Sequence, residues 1–191
     1  MTTPKQERDH WSTRATDAEV WAVSPSDWIP STEAVVDRIV GHLDGCARIM
    51  EIGCGTGRLT SRIAAALPNA TVTGVDVSDV MLAEAKKHDL PNLEWALCDG
   101  RTLPAGEWDG VYSVVTFQHI PTSAQRSYVH QITDRLALGG RVVLQLVEGD
   151  ERTDWNHHVN RTTVARWSKR NGLKASFSTD PVFPTWLWVT A

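Results

Sequence analysis

Cysteine is scarce in this chain of 191 residues: Cys46, Cys54 and Cys98 are odd in number and lack a CxxC spacing. That excludes a disulfide scaffold and a structural zinc ribbon, and it points to a reducing, cytoplasmic setting. Phenylalanine and tyrosine are also few, three and two, against nine tryptophans. Positive charge is not in excess. The formal net charge is −4, so no global field draws the protein to phosphate backbones. No apolar run approaches membrane-spanning length, and the opening MTTPKQERDH lacks the apolar core of a signal peptide. No internal repeat or low-complexity tract is present. One globular domain over 1–191 is expected, with 1–30 as an amino-terminal arm that holds one short helix at most and lies as a lid over a site.

What is present is concentrated at 49–60, IMEIGCGTGRLT. β-favouring residues lead through Glu51 into Gly53, Gly55 and Gly57, and a helical pattern follows. A strand ending in a glycine turn at a helix amino terminus lets a ligand approach bare backbone and meet unpaired N–H groups. The spacing E-x-G-x-G-x-G misses the dinucleotide fingerprint G-x-G-x-x-G, because position 58 is Arg58.

The remainder alternates strands with helices. A helix from Ser31 or Thr32 has Val35, Val36, Ile39, Val40 and Leu43 on one face. Strands are predicted over 47–52, 71–77, 93–98, 110–117 and 141–147. Helices are predicted from the glycine turn to Leu67, from the N-cap Ser78 through Lys87 with Val80, Met81 and Ala85 inward, and from Ser123 to Leu138. Gly139-Gly140 is expected to stop the last of these. A further helix over 163–171 precedes strands at 173–178 and 185–190, which are joined by too few residues for a crossover. They must be antiparallel. The predicted fold is therefore α/β: a doubly wound, mostly parallel seven-stranded sheet finished by an antiparallel carboxyl-terminal hairpin, a Rossmann-like arrangement.

In this order the motifs resemble the class I S-adenosylmethionine-dependent methyltransferases over about 31–191. EIGCGTG is similar to that family's first motif, Asp76 in GVDVS to the acid ending its second strand, and Asp99 in CDG to the acid after its third. Asp109 in WDGVYSVV and Gly139-Gly140 resemble the residues that open its fourth strand and precede its fifth. The resemblance implies S-adenosylmethionine as cofactor and S-adenosylhomocysteine as product. It implies that Asp76 meets the ribose diol, Asp99 the adenine amino group, Gly100 the ring through its N–H, and Val77 the adenine face. Gly53, Gly55, Gly57 and Thr116 then border the methionine portion, and Glu51 acts on its ammonium group. The arm DHWSTRA is similar to the Trp-x-x-Arg arms of some family members, which makes Arg14 a candidate for the cofactor carboxylate. Each residue also has a plainer structural reading: tight packing for the glycines, helix capping for Asp76, a turn for Asp99, and a solvated cation for Arg14.

His119, in TFQHIP beyond the fourth strand, is the candidate general base, because imidazole titrates near neutrality and the carboxyl edge of such a sheet is where ligands bind. Ordering a loop or binding substrate are equal alternatives for it. His157, Trp11 and Trp28 are candidate acceptor contacts. At least one of His157 and His158 is expected in a surface loop, and adjacent histidines point apart, so no metal site is predicted. Trp21 joins Trp11 and Trp28 as wall or anchor, while Trp95, Trp186 and Trp188 read as core. TFQHIP differs from the motif of exocyclic base-amine methyltransferases, and no Pro-Cys nucleophile is present. A small-molecule acceptor is therefore expected. The competing readings are action on nucleic acid or protein, for which Arg161, Arg166, Lys169 and Arg170 are the basic residues, and a silent cofactor-binding regulatory module. No membrane partner is expected.

Overall fold

The computed structural model describes residues 3–14, 32–150, 157–180 and 186–191. Helix α1 (Pro4–Arg14) is followed by α2 (Thr32–Leu43), β1 (Arg48–Ile52), α3 (Arg58–Ala66), β2 (Thr71–Asp76), α4 (Asp79–Ala85) and β3 (Leu93–Leu97). Then come β4 (Trp108–Ser113), a short 3₁₀ turn (Phe117–His119), α5 (Thr122–Arg135), β5 (Leu136–Val147), α6 (Arg161–Arg170), β6 (Ser176–Thr179) and β7 (Trp186–Thr190). The strands form one sheet in the order β3-β2-β1-β4-β5-β7-β6. Pairing is parallel through β5, and β7 runs antiparallel to both β5 and β6, as predicted. Strand order reverses between β1 and β4, so the crevice for a ligand lies beyond their carboxyl ends.

Both faces of the sheet are covered. One core layer joins Met50, Ile52, Val111 and Leu144 to Tyr128, Val129 and Ile132 of α5 and Trp167 of α6. The other joins Ile49, Val72, Tyr112 and Val143 to Val35, Ile39 and Leu43 of α2 and Ile63 of α3. Because side chains alternate along a strand, β1 sends Met50 and Ile52 one way and Ile49 and Glu51 the other. A carboxylate is thus buried in an apolar layer, and that placement governs the site. Trp188 belongs to the α2 layer, with the Arg38 guanidinium 4.8 Å over its ring and Asp180 Oδ2 accepting from its Nε1. Trp95 is only half-buried. Its ring crosses Gly74 and reaches Gly57, where an added Cβ would fall 2.6 Å and 2.4 Å from it.

Several boundaries differ from expectation for tertiary reasons. β4 begins at Trp108 and ends at Ser113, not over 110–117, because Val115 adopts φ 57 and turns the chain. α5 ends at Arg135, three residues early, since Leu136 pairs with Trp108 and is drawn into β5; Gly139-Gly140 lie inside that strand. On α4, Leu82 is buried while Val80 is 38% exposed. Asp109, inside β4, clips the start of β1 by accepting from Ala47 N (3.1 Å) and Arg48 N (2.8 Å).

Within the described part of the arm lies one helix, Pro4–Arg14. Thr3 and Gln6 form a reciprocal capping box: Gln6 N donates to Thr3 Oγ1 (3.3 Å) and Thr3 N to Gln6 Oε1 (2.8 Å), with Pro4 at the first helical position. The rest of the arm, with Trp21 and Trp28, lies outside the described residues.

Candidate active site

The turn after β1 is built from three glycines with positive φ: Gly53 (74°), Gly55 (54°) and Gly57 (75°). Side chains resist this conformation. Backbone bonds lock the turn to β2, Gly53 N and Cys54 N both donating to Val75 O at 2.7 and 3.0 Å. Asp76 completes the clasp. Its Oδ2 accepts from Gly55 N (2.8 Å) and its Oδ1 from Ser78 N (2.9 Å). Burial pushes the Asp76 pKa up, against those amides. A carboxylate has further lone pairs beyond two such bonds, so Asp76 both shapes the turn and keeps acceptor capacity at the rim. Ser78 caps α4, accepting from Met81 N at 3.2 Å.

Opposite the glycine turn, the chain leaving β4 is held in a strained shape. Val115, β-branched at φ 57, donates its N–H to the buried Gln145 Oε1 (2.7 Å). Thr116 Oγ1 then reaches Gly53 O and Val114 O, each at 3.2 Å. Thr116 packs so closely on Gly53 that a Cβ there would fall 2.3 Å from both Oγ1 and Cγ2.

Glu51 lies beneath this junction and is 2% exposed. Parallel register sets it beside Tyr112 on β4. Tyr112 OH donates to Oε2 at 2.9 Å, and Thr60 Oγ1 of α3 donates to the same oxygen. Burial raises the Glu51 pKa to about 7 despite both hydroxyls. Neither partner is apparent in the sequence, because inter-strand register and helix packing bring them together.

Beyond β2 and β3, Gly100 is buried at φ 74 and Val77 is half-buried. Asp99 is exposed. Its Oδ1 caps the turn by accepting from Thr102 N and Arg101 N, bonds that hold its pKa below the usual range.

Helix α1 crosses the same rim. The Ser12 hydroxyl meets that of Ser78 at 2.9 Å, and the Trp11 ring stands edge-on to His119 at 5.1 Å between centroids. Arg14 ends the helix, exposed. His119 sits in the 3₁₀ turn with Gln118 Nε2 3.4 Å from its Nε2. His157 is buried, not in a solvated loop, while His158 is half-buried. The His157 N–H donates to Gln118 O (2.6 Å) and its carbonyl accepts from Gln125 Nε2 (2.9 Å). Gln125, fully buried, also donates to Phe117 O and Ile120 O, each at 2.8 Å, so one side chain fixes the histidine turn. The arrangement brings together Glu51, the glycines, Asp76, Val77 and Thr116 on one side, and Trp11 with His119 across the rim.

Burial raises the pKa of Cys46 and Cys54 and pushes Cys98 up to about 11, which disfavours the thiolate at all three. No group of three metal-ligating side chains converges among the described residues. No helix among them is long and apolar enough to cross a membrane. The donor set fits the nucleoside sulfonium implied by the motifs. Bare glycine backbone would leave room for an amino-acid tail, the acceptor capacity of Asp76 at the end of β2 would suit a diol, and the buried Glu51 would suit a cation.

A methyltransferase-domain model matches residues 49–140, from β1 into β5. The chain is 35% identical over 133 residues to a trans-aconitate 2-methyltransferase of Deinococcus radiodurans, covering 70% of this chain and 50% of that protein. It spans about half the length of the curated relatives it matches. Among solved structures, the complex of DhpI with S-adenosylhomocysteine superposes with TM-score 0.71 at 23% identity, covering 98% of this chain and 95% of that one. The [4+2]-cyclase SpnF superposes with TM-score 0.76 at 18% identity over 92% of this chain and 74% of its own. The fold therefore carries more than one chemistry, and it is the motif-bearing stretch that assigns the family. The glycine turn, acidic clasp and antiparallel last strand, together with the matched methyltransferase-domain model and relatives, support placing this chain in the class I S-adenosylmethionine-dependent methyltransferase family.

Proposed function

We propose that this chain, as a single domain, binds S-adenosylmethionine at the carboxyl rim of β1, β2 and β4 and transfers its methyl group in line to a small-molecule acceptor. The observation carrying this is the clasp in which Asp76 ties Gly55 N to Ser78 N beside three positive-φ glycines. When bound, the sulfonium supplies an already activated methyl. The chain's own task is to position two reactants and exclude water. Glycine backbone and Glu51 receive the amino-acid tail, Asp76 the ribose, and Val77, Asp99 and Gly100 the adenine. α1 acts as the lid: Trp11 closes the rim above His119, with Arg14 at its end directed to the tail carboxylate. Trp28 and His157 are acceptor contacts in this reading, and the setting is cytoplasmic. The trans-aconitate relatives support starting the acceptor search with small carboxylic acids.

Calorimetry with S-adenosylmethionine, S-adenosylhomocysteine and NAD side by side tests the reading. Micromolar affinity for the first two is expected, with a loss of about 100-fold in Asp76→Ala from a lost charge-assisted bond and a loosened turn. Tight NAD binding would overturn the assignment. Cofactor binding without turnover across a broad acceptor panel would favour the regulatory reading, and salt-dependent RNA or DNA binding would favour a nucleic-acid acceptor.

His119 is the candidate base for an acceptor that arrives protonated, such as a hydroxyl; a carboxylate is already ionised near neutrality, and towards it His119 orders the turn or contacts the acceptor instead. With a protonated acceptor, replacing His119 with Ala is expected to lower kcat about 100-fold, the low end for general-base loss, with cofactor affinity intact. Assays of S-adenosylhomocysteine formation measure it, and an unchanged kcat removes His119 from the catalytic list.

A further inference from the structure

The pairing of Tyr112 and Thr60 on one oxygen of a buried carboxylate serves no evident folding purpose. Two hydroxyls on Oε2 fix the Glu51 plane and leave Oε1 to neither of them. Among the described residues no cation lies against it. From β2 it faces the Asp76 carboxylate, from the turn the Cys54 thiol, from β4 Tyr112, and from α3 Thr60 and the more distant Arg58. Arg58 is exposed and donates to Thr32 Oγ1 at 2.8 Å. An acid so buried among neutral and anionic neighbours holds its proton until a cation arrives.

We propose that Tyr112 and Thr60 are positioning residues that present Glu51 to the cofactor's ammonium group, and that uptake of this group releases the Glu51 proton to solvent. The inference rests on the proposed cofactor reading and deepens it. In the free protein Glu51 titrates at about 7. An ammonium facing it favours the carboxylate and lowers that value in the complex. Affinity should therefore weaken by up to about tenfold per pH unit as pH falls below the free-protein value. An α-amino group loses its own proton near ~7.7–8.0, so affinity also declines above that range and the profile is a narrow bell. Tyr112→Phe and Thr60→Val each remove a bond that favours the charged acid. They should move the acid limb upward by about half a unit to one unit, and leave the alkaline limb in place. A merely structural loss would lower the whole profile without shifting it.

The test is calorimetry of S-adenosylmethionine from pH 5.5 to 8.5 in buffers of differing ionisation enthalpy. 5′-Methylthioadenosine, which keeps the ribose and base but lacks the amino-acid tail, is the control. Expected are release approaching one proton near pH 6 with S-adenosylmethionine and none with the control. Flat affinity, no proton release, or an equal pH dependence of the control would overturn the inference while leaving the cofactor reading intact. Absence of S-adenosylmethionine binding at every pH would instead reject the cofactor reading. An unshifted acid limb in both variants would remove Tyr112 and Thr60 from the role.

Discussion

Gly53→Ala is expected to weaken cofactor binding by more than 100-fold and to destabilise the fold. Two effects act together. At φ 74 a side chain pays roughly 1 kcal/mol for the left-handed backbone. The added Cβ would also fall 2.3 Å from Thr116 Oγ1 and Cγ2 and 2.8 Å from Thr116 Cβ. Thr116 is short and bonded to Gly53 O and Val114 O, and the strained Val115 before it is tied to Gln145. Rotation alone does not clear the Cβ, so the glycine turn and the β4 exit must separate, and the amino-acid tail loses both walls. Gly139→Ala is the control. Gly139 has a similar φ of 78°, and an added Cβ there meets nothing within 4 Å. Urea unfolding should give Gly139→Ala the backbone penalty of about 1 kcal/mol alone, with affinity unchanged. If Gly53→Ala matches that control in both stability and calorimetry, the turn is not the binding cradle.

Glu51→Gln is expected to stabilise the free protein at alkaline pH while weakening its hold on the cofactor. Burial raises the Glu51 pKa from 4.5 to about 7. For an acid with a raised folded-state pKa, the unfolded chain ionises first as pH rises. Its neutral form costs nothing extra below the unfolded value, so full stability is present there. Stability then falls across the window between the two values, and is lost in full above the folded one. At about 1.4 kcal/mol per unit, the wild type loses on the order of 3 kcal/mol over this window. Glutamine does not titrate, and its carbonyl still accepts from Thr60 and Tyr112. The stability advantage of the variant should thus open between pH 4.5 and 7, by denaturant midpoints in matched buffers. Parallel stability curves for the two proteins would show that Glu51 carries no such burden. A buried acid that strains the free protein and serves the complex is a familiar cost of a functional site.

Local chemistry was readable from the residues. Gly53, Gly55 and Gly57 predict a tight turn because glycine adopts positive φ without a side-chain penalty, and all three do so. Ser78 predicts a cap because a hydroxyl satisfies Met81 N three residues on, and the short link before β7 forbids a parallel crossover. The capping box of Thr3 and Gln6 was equally local, and it opens α1. Misplaced boundaries share one cause. Val114 and Val115 look like more strand, but a turn held by Gln145 ends β4. Leu136 fits the helical stripe, but pairing with Trp108 takes it into β5.

The order of strands and helices, the glycine turn, Glu51 near the end of β1 and Asp76 at the end of β2 were legible in the residues, since each depends on neighbours within a few positions. The burial of Glu51 against Tyr112 and Thr60, the pressure of Thr116 on Gly53, and the reach of Trp11 and Ser12 to His119 and Ser78 emerged from the folded chain alone. Those contacts join residues from different elements. They are set by strand register and helix packing, where one residue of slip would turn each side chain to the opposite face.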